Sequence, residues 1–210
     1  MATFGTTQTA VSKRLLDANN TAVSASDVAN AINDSISYWK LRRFWFNEGA
    51  STLTMTAQDG TIPLATDFLV PAYEDGAFQI EYSDSRYPMS KIGASHYNSI
   101  WTANGYGLPK VYARVGQTYQ SFPLPDRAYT IKCAYLKSYA DLVNDADTND
   151  FIDNANRLIL LWTLANLISE FRQDEKMETY FRNASNDEYR QLSIMTDKSN
   201  ATGTLSIHSL

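Results

Sequence analysis

The run RLILLWTLANLISEF, Arg157 to Phe171, is the most apolar stretch of this 210-residue chain, and its surroundings decide the fold. A membrane span needs about 20 apolar residues. This run is shorter and is interrupted by Thr163 and Asn166, so it reads as a core helix of a soluble protein with no membrane partner. Wound as a helix, it puts Leu158, Leu161, Ala165 and Ile168 on one stripe and Leu160, Leu164, Leu167 and Phe171 on a second. Only Thr163, Asn166 and Glu170 make a narrow polar strip between them. A helix apolar on two sides needs two sets of partners.

Glycine and proline show where those partners lie. All six prolines fall between Pro63 and Pro125, and neither residue type occurs from Thr6 to Glu48 or from Asp126 to Thr202. Helix interiors exclude both residues and turns require them. The chain therefore reads as helices, then a turn-rich β region, then helices: an α+β fold. The expected organisation is N-terminal helices over 1–48, a β-rich part over 49–140, C-terminal helices over 141–198 and a tail over 199–210.

Local signals fill in this outline. TQTAVSKRLLDANN is a short helix, and Ser24 or Ser26 can cap a second one, with Asp27 in its first turn. Val28, Ile32, Ile36 and Trp39 lie on one face of that helix, and Gly49 after FWFNE is the expected stop. STLTMTA, AFQIEY, KVYARV and AYTIKCAYL alternate with a period of two and predict strands, separated by turns such as QDGT and YEDGA. YPMSKIGASHYNSIWTANGYG fits no strand pattern and reads as a short helix or an excursion loop carrying Tyr97 and Trp101. Beyond Phe171, Met177, Phe181 and Ala184 make the apolar face of a further helix able to cover one stripe. In the tail, Leu205 and Ile207 alternate with Ser206 and His208, a strand pattern too short to be stable alone.

Catalytic chemistry finds no foothold. Asp145, Asp147 and Asn149 imitate the start of a calcium loop, but Asp150 stands where the turn glycine belongs and Asn156 where a bidentate glutamate belongs. These acids are expected to cap the next helix. His96 and His208 are far apart, and no cysteine stands near them at metal-ligand spacing. NGYGLPK is neither a P-loop nor a dinucleotide fingerprint, and no G-x-S-x-G nucleophile elbow occurs. Cys133, the lone cysteine, alternates with Ile131 and Tyr135 and reads as a buried thiol of a protein made in a reducing cytoplasm. The N-terminus has no secretory pattern. The expectation is a protein that is not an enzyme, with no catalytic, cofactor or metal residues. Tyr82, Tyr87, Tyr97, Trp101 and Tyr106 could stack on sugars, so a carbohydrate-binding module is the alternative reading.

Charge is uneven: residues 141–210 hold twelve acidic and six basic side chains, whereas the first 140 residues are nearly balanced. A sequence-reading DNA binder shows a basic face, and none is evident.

Taken together, four blocks spread over about residues 9–192 resemble the head-to-tail adaptor (connector, or neck) proteins of tailed bacteriophages, including the tail tubular protein A type of short-tailed phages. The blocks are SASDVANAINDSISYWKLRRFWFNEG, TIPLATDFLV, GLPKVYARVGQTYQSFPLPDRAYTIKCAYLKSYADL and DADTNDFIDNANRLILLWTLANLISEFRQDEKMETYFRNASNDEYRQL. The resemblance implies a helical bundle joined to a central antiparallel β-sandwich-like domain. It implies a structural virion protein, assembled as a ring of about twelve copies at the virion neck. There it would contact portal and tail or nozzle proteins and let genomic DNA pass without sequence-specific binding. In such a ring Leu160, Leu164, Leu167 and Phe171 become the expected subunit interface. Gly203, Thr204, Leu205, Ser206, Ile207, His208, Ser209 and Leu210 become an expected portal-docking tail.

Overall fold

The computed structural model describes residues 2–15, 22–101 and 105–200. Six helices occur among them: α1 (Phe4–Arg14), α2 (Ala25–Trp39), α3 (Ala94–Ile100), α4 (Asp150–Asn154), α5 (Asn156–Leu167) and α6 (Glu175–Asn200). The strands are β1 (Glu48–Met55), β2 (Phe68–Pro71), β3 (Phe78–Tyr82), β4 (Ser85–Pro88), β5 (Ser90–Lys91), β6 (Tyr106–Gly107), β7 (Val111–Val115), β8 (Thr118–Phe122), β9 (Leu124–Pro125) and β10 (Tyr129–Lys137). The fold is mixed α+β and divides into two compact units. One comprises residues 1–47 and 139–210, the other residues 48–138.

In the helical unit, α5 packs against α1, α2 and α6. Ser24 caps α2 in a reciprocal capping box with Asp27, which satisfies two otherwise orphaned backbone groups. Val28, Ile32, Ile36 and Trp39 are buried on one face of α2, as their spacing predicts. The hydroxyls of Ser35 and Thr163, both fully buried, lie 2.9 Å apart, so the polar strip of α5 meets a polar partner inside the core. Gly5 brings α1 against the acidic loop: a Cβ there would come within 2.8 Å of Asp145 Cβ. The Phe4 and Gly5 amides donate to the Asp147 and Asp145 carbonyls.

Three expectations are corrected here. Helix α2 ends at Trp39, ten residues before Gly49. Its terminus is closed by Asn47, which is fully buried. Asn47 Oδ1 accepts from the Phe44 amide at 2.8 Å, and its Nδ2 donates to the Arg42 carbonyl at 2.8 Å and the Lys40 carbonyl at 3.4 Å. Gly49 instead sits in β1 opposite Tyr135, where a Cβ would meet that ring at 2.7 Å. The second correction concerns α6. Its inward line runs through Phe181, Ser185, Tyr189, Leu192 and Thr196, while Met177 is exposed. The sequence hides this face because Ser185 and Thr196 are polar, yet both hydroxyls are satisfied by carbonyls of their own helix.

The third concerns the opening run itself. The α-helix stops at Leu167, and Ile168–Arg172 form a π-helical turn closed by the Gln173 amide on the Ile168 carbonyl at 2.8 Å. Gln173 takes the left-handed conformation (φ 53°), and Asp174 then caps α6 through the Lys176 and Met177 amides.

The second unit carries a sheet in the order β1-β10-β3-β4, with β2 also paired to β10, all antiparallel. Strands β7 and β8 form an antiparallel hairpin, to whose other side β5 adds a short parallel pairing, and β6 pairs in parallel with β9. A separate core of Met55, Phe78, Ile80, Met89, Tyr112 and Ile131, with further aromatics, fills this unit. Among the described residues no helix is long and apolar enough to cross a membrane.

Candidate interaction surfaces

Because α5 is surrounded by helices of its own chain, both of its stripes are covered there. Leu158, Leu161, Ala165 and Ile168 are buried, and so are Leu160, Leu164 and Leu167. Phe171 behaves differently, at 41% exposed. The wider π turn after Leu167 takes it off the line that an unbroken α-helix would give it. Of the four residues of the expected subunit interface, Phe171 is the one whose side chain a neighbouring molecule can reach. It borders a cavity of about 200 Å³ shared with Asp27, Asn30, Asp34, Asn166 and Glu170. Arg172 anchors the turn by donating to the Leu15 carbonyl. The residues expected to dock on portal, Gly203–Leu210, lie outside the described residues.

The acidic loop is held by hydrogen bonds. The Asp147 carboxylate accepts from the Val143 and Asn144 amides at 2.9 and 2.8 Å, which holds its pKa below the ordinary aspartate value. Asn149 caps α4 through the Phe151 and Ile152 amides. Among the described residues no group of three or more His, Cys, Asp or Glu side chains is placed to hold a metal ion. Cys133 is buried, and burial pushes its thiol up to about 12, far from the thiolate a nucleophile needs. His96 is exposed on α3.

The aromatics proposed for sugar stacking do not form one platform. Tyr97 is buried, its hydroxyl directed at the Ser121 carbonyl. It shares a cleft of about 290 Å³ with exposed Trp101, Asn98, Val115 and Gln120. Tyr82 instead packs edge-on against Tyr129 and lies under the Arg127 guanidinium. Tyr87 and Tyr106 stand on β4 and β6.

A structure with helices stapled to an acidic loop, a separate β unit and exposed apolar side chains on both is suited to work by contact with other proteins. Residues 2–207 match the sequence model of the SU10 adaptor protein family, and the chain belongs to that family. It is thus a structural adaptor of bacteriophage, a class whose members associate with portal and tail proteins at the virion neck. No curated protein matches the chain.

Proposed function

We propose that this adaptor assembles as a closed ring of about twelve copies beneath the portal, joining capsid to tail and surrounding the channel through which DNA leaves. The observation that carries the reading is the family match over nearly the whole chain. The helical unit is read as the bundle and the strand unit as the sandwich-like domain that the adaptor resemblance implies. A cyclic, head-to-tail interface repeats without leaving an apolar patch exposed. Phe171 supplies a half-exposed aromatic for it.

The charge distribution fits passage of DNA. With twelve acids against six bases in residues 141–210, a channel wall built from this part repels phosphate. A basic wall would bind it through counterion release and slow its exit. Electron microscopy of the protein alone and with portal protein tests the proposal. Closed rings seated coaxially on portal are the expected result. A monomer that stays off portal, or an open filament, overturns it.

A further inference from the structure

We infer that β1 is the acceptor edge for an added strand, and that the strand it takes is the C-terminal segment Thr204–His208 of a neighbouring copy; this rests on the ring reading above. The two ends of the strand order β1-β10-β3-β4 are treated very differently. The β4 edge is short and carries Arg86 and Pro88, two devices that discourage pairing. The β1 edge runs for eight residues in unbroken register with β10. From Gly49 to Met55 it has no proline and no charged residue.

The free groups follow from the alternation of an antiparallel ladder. On β10, the Ala134 amide donates to the Ala77 carbonyl and its carbonyl accepts from Ala72, so the even-numbered residues of β10 face β2 and β3. Its odd-numbered residues then face β1, where Cys133 pairs with Ser51 and Ile131 with Leu53. The amides and carbonyls of Ala50, Thr52 and Thr54 therefore point away from the sheet, and all three residues are exposed. Among the described residues no strand pairs on that side.

The C-terminal segment fits this edge in pattern. Leu205 and Ile207 alternate with Thr204, Ser206 and His208. Added to β1, the two apolar residues extend the face that carries partly buried Leu53 and buried Met55. The polar ones fall beside Thr52 and Thr54, where Thr–Ser pairing is favourable. Backbone bonds supply affinity and alternate side chains the register, as in β-augmentation. Each chain carries one such edge and one such segment, so lending a strand to the next copy uses each once and closes with the ring.

The test uses two full-length variants, an equimolar mixture of them, and size-exclusion chromatography with light scattering. Thr52→Pro removes an outward amide at an edge position, where proline is tolerated. Deletion of residues 203–210 removes the donor strand. Each variant alone should melt like the wild type yet self-associate at least roughly tenfold more weakly. The mixture should form 1:1 dimers, because one partner keeps only the strand and the other only the edge. Variants that form rings like the wild type overturn the strand exchange while leaving the ring reading intact. A wild type that never assembles, alone or on portal, removes the ring reading and the inference with it. If the deletion variant makes rings but no longer holds portal, the segment's receptor is the portal. A deletion that lowers the monomer's melting temperature places the strand within its own chain. Either result overturns the inference.

Discussion

Replacing Asn47 should unfold the helical unit earlier than any sequence rule suggests. Its side chain closes α2 by accepting from the Phe44 amide and donating to the Arg42 carbonyl, both at 2.8 Å, with Phe44 and Asn47 fully buried. In Asn47→Ala the Phe44 amide is left buried without an acceptor, a cost of about 1–3 kcal/mol, and the Arg42 carbonyl loses a bond worth about 0.5–1.5 kcal/mol. The sum is roughly 1.5–4.5 kcal/mol. Asn47→Asp keeps the acceptor and the shape but turns an oxygen toward the Arg42 carbonyl. At neutral pH it should cost more than alanine, because a buried carboxylate faces a second acceptor. Protonation converts that oxygen into a donor, so the folded form raises the aspartate pKa. Stability is then fully present below the unfolded pKa and lost as pH rises through the folded one. Urea unfolding followed by circular dichroism and by tryptophan fluorescence, referred to the wild type at each pH, reads both effects. A loss under about 0.5 kcal/mol for Asn47→Ala, or identical pH dependence for the two variants, would refute the assignment of this side chain as the helix stop.

Four further outcomes are expected. Leu164→Ala should destabilise the monomer by about 2–5 kcal/mol, since Leu164 is fully buried. Phe171→Glu should leave the melt unchanged and weaken ring formation on portal, as light scattering will show; equal losses in both assays argue against a neighbour at Phe171. Trp39→Phe should cost within about 1 kcal/mol but Trp39→Ala about 3–5 kcal/mol by thermal melts. The indole packs between Trp162 and Tyr189, and its buried N–H has no partner among the described residues. The strand unit should unfold in alkali. Burial pushes Tyr112, Tyr129 and Tyr135 up to about 12, and the latter two also donate to Asp126 and Asp67. Because these pKa values are raised, the stability they reflect is present below the ordinary value of 10.0 and is lost as pH climbs toward 12. If Tyr112→Phe, Tyr129→Phe or Tyr135→Phe lowers the tyrosinate absorbance at pH 10 while wild type and variant both stay folded, the burial is contradicted.

Periodic signals were legible in the sequence wherever one physical cause dominated. The Val28–Ile32–Ile36–Trp39 face, the Ser24 cap and the alternation of β1, β3, β7 and β10 appear where spacing put them. Short strands such as β4 and β5 escaped because four or two residues cannot establish a period. The exposure of Phe171 escaped for another reason. Spacing rules assume 3.6 residues per turn, and the π turn at Ile168–Arg172 breaks that assumption without any glycine or proline to announce it.

The same limit explains why two surfaces look alike in sequence and differ in the structure. Leu164 and Phe171 belong to one stripe by counting, yet one is sealed by helices of its own chain and the other borders an open cavity. Pattern reports that a face is apolar, and only the arrangement of elements reports whether the chain covers that face itself. The β1 edge is the converse case. No large exposed apolar side chain marks it, and STLTM reads as an ordinary half-buried strand. Its character comes from the Ala134 bonds to Ala77 and Ala72, which commit one side of β10 to β2 and β3 and leave β1 as the last strand. An adaptor must stay soluble as a single chain and still bind on assembly. Backbone groups at a Thr-rich edge meet both demands, because water satisfies them until a strand arrives, whereas an exposed leucine stripe of the same length would aggregate first.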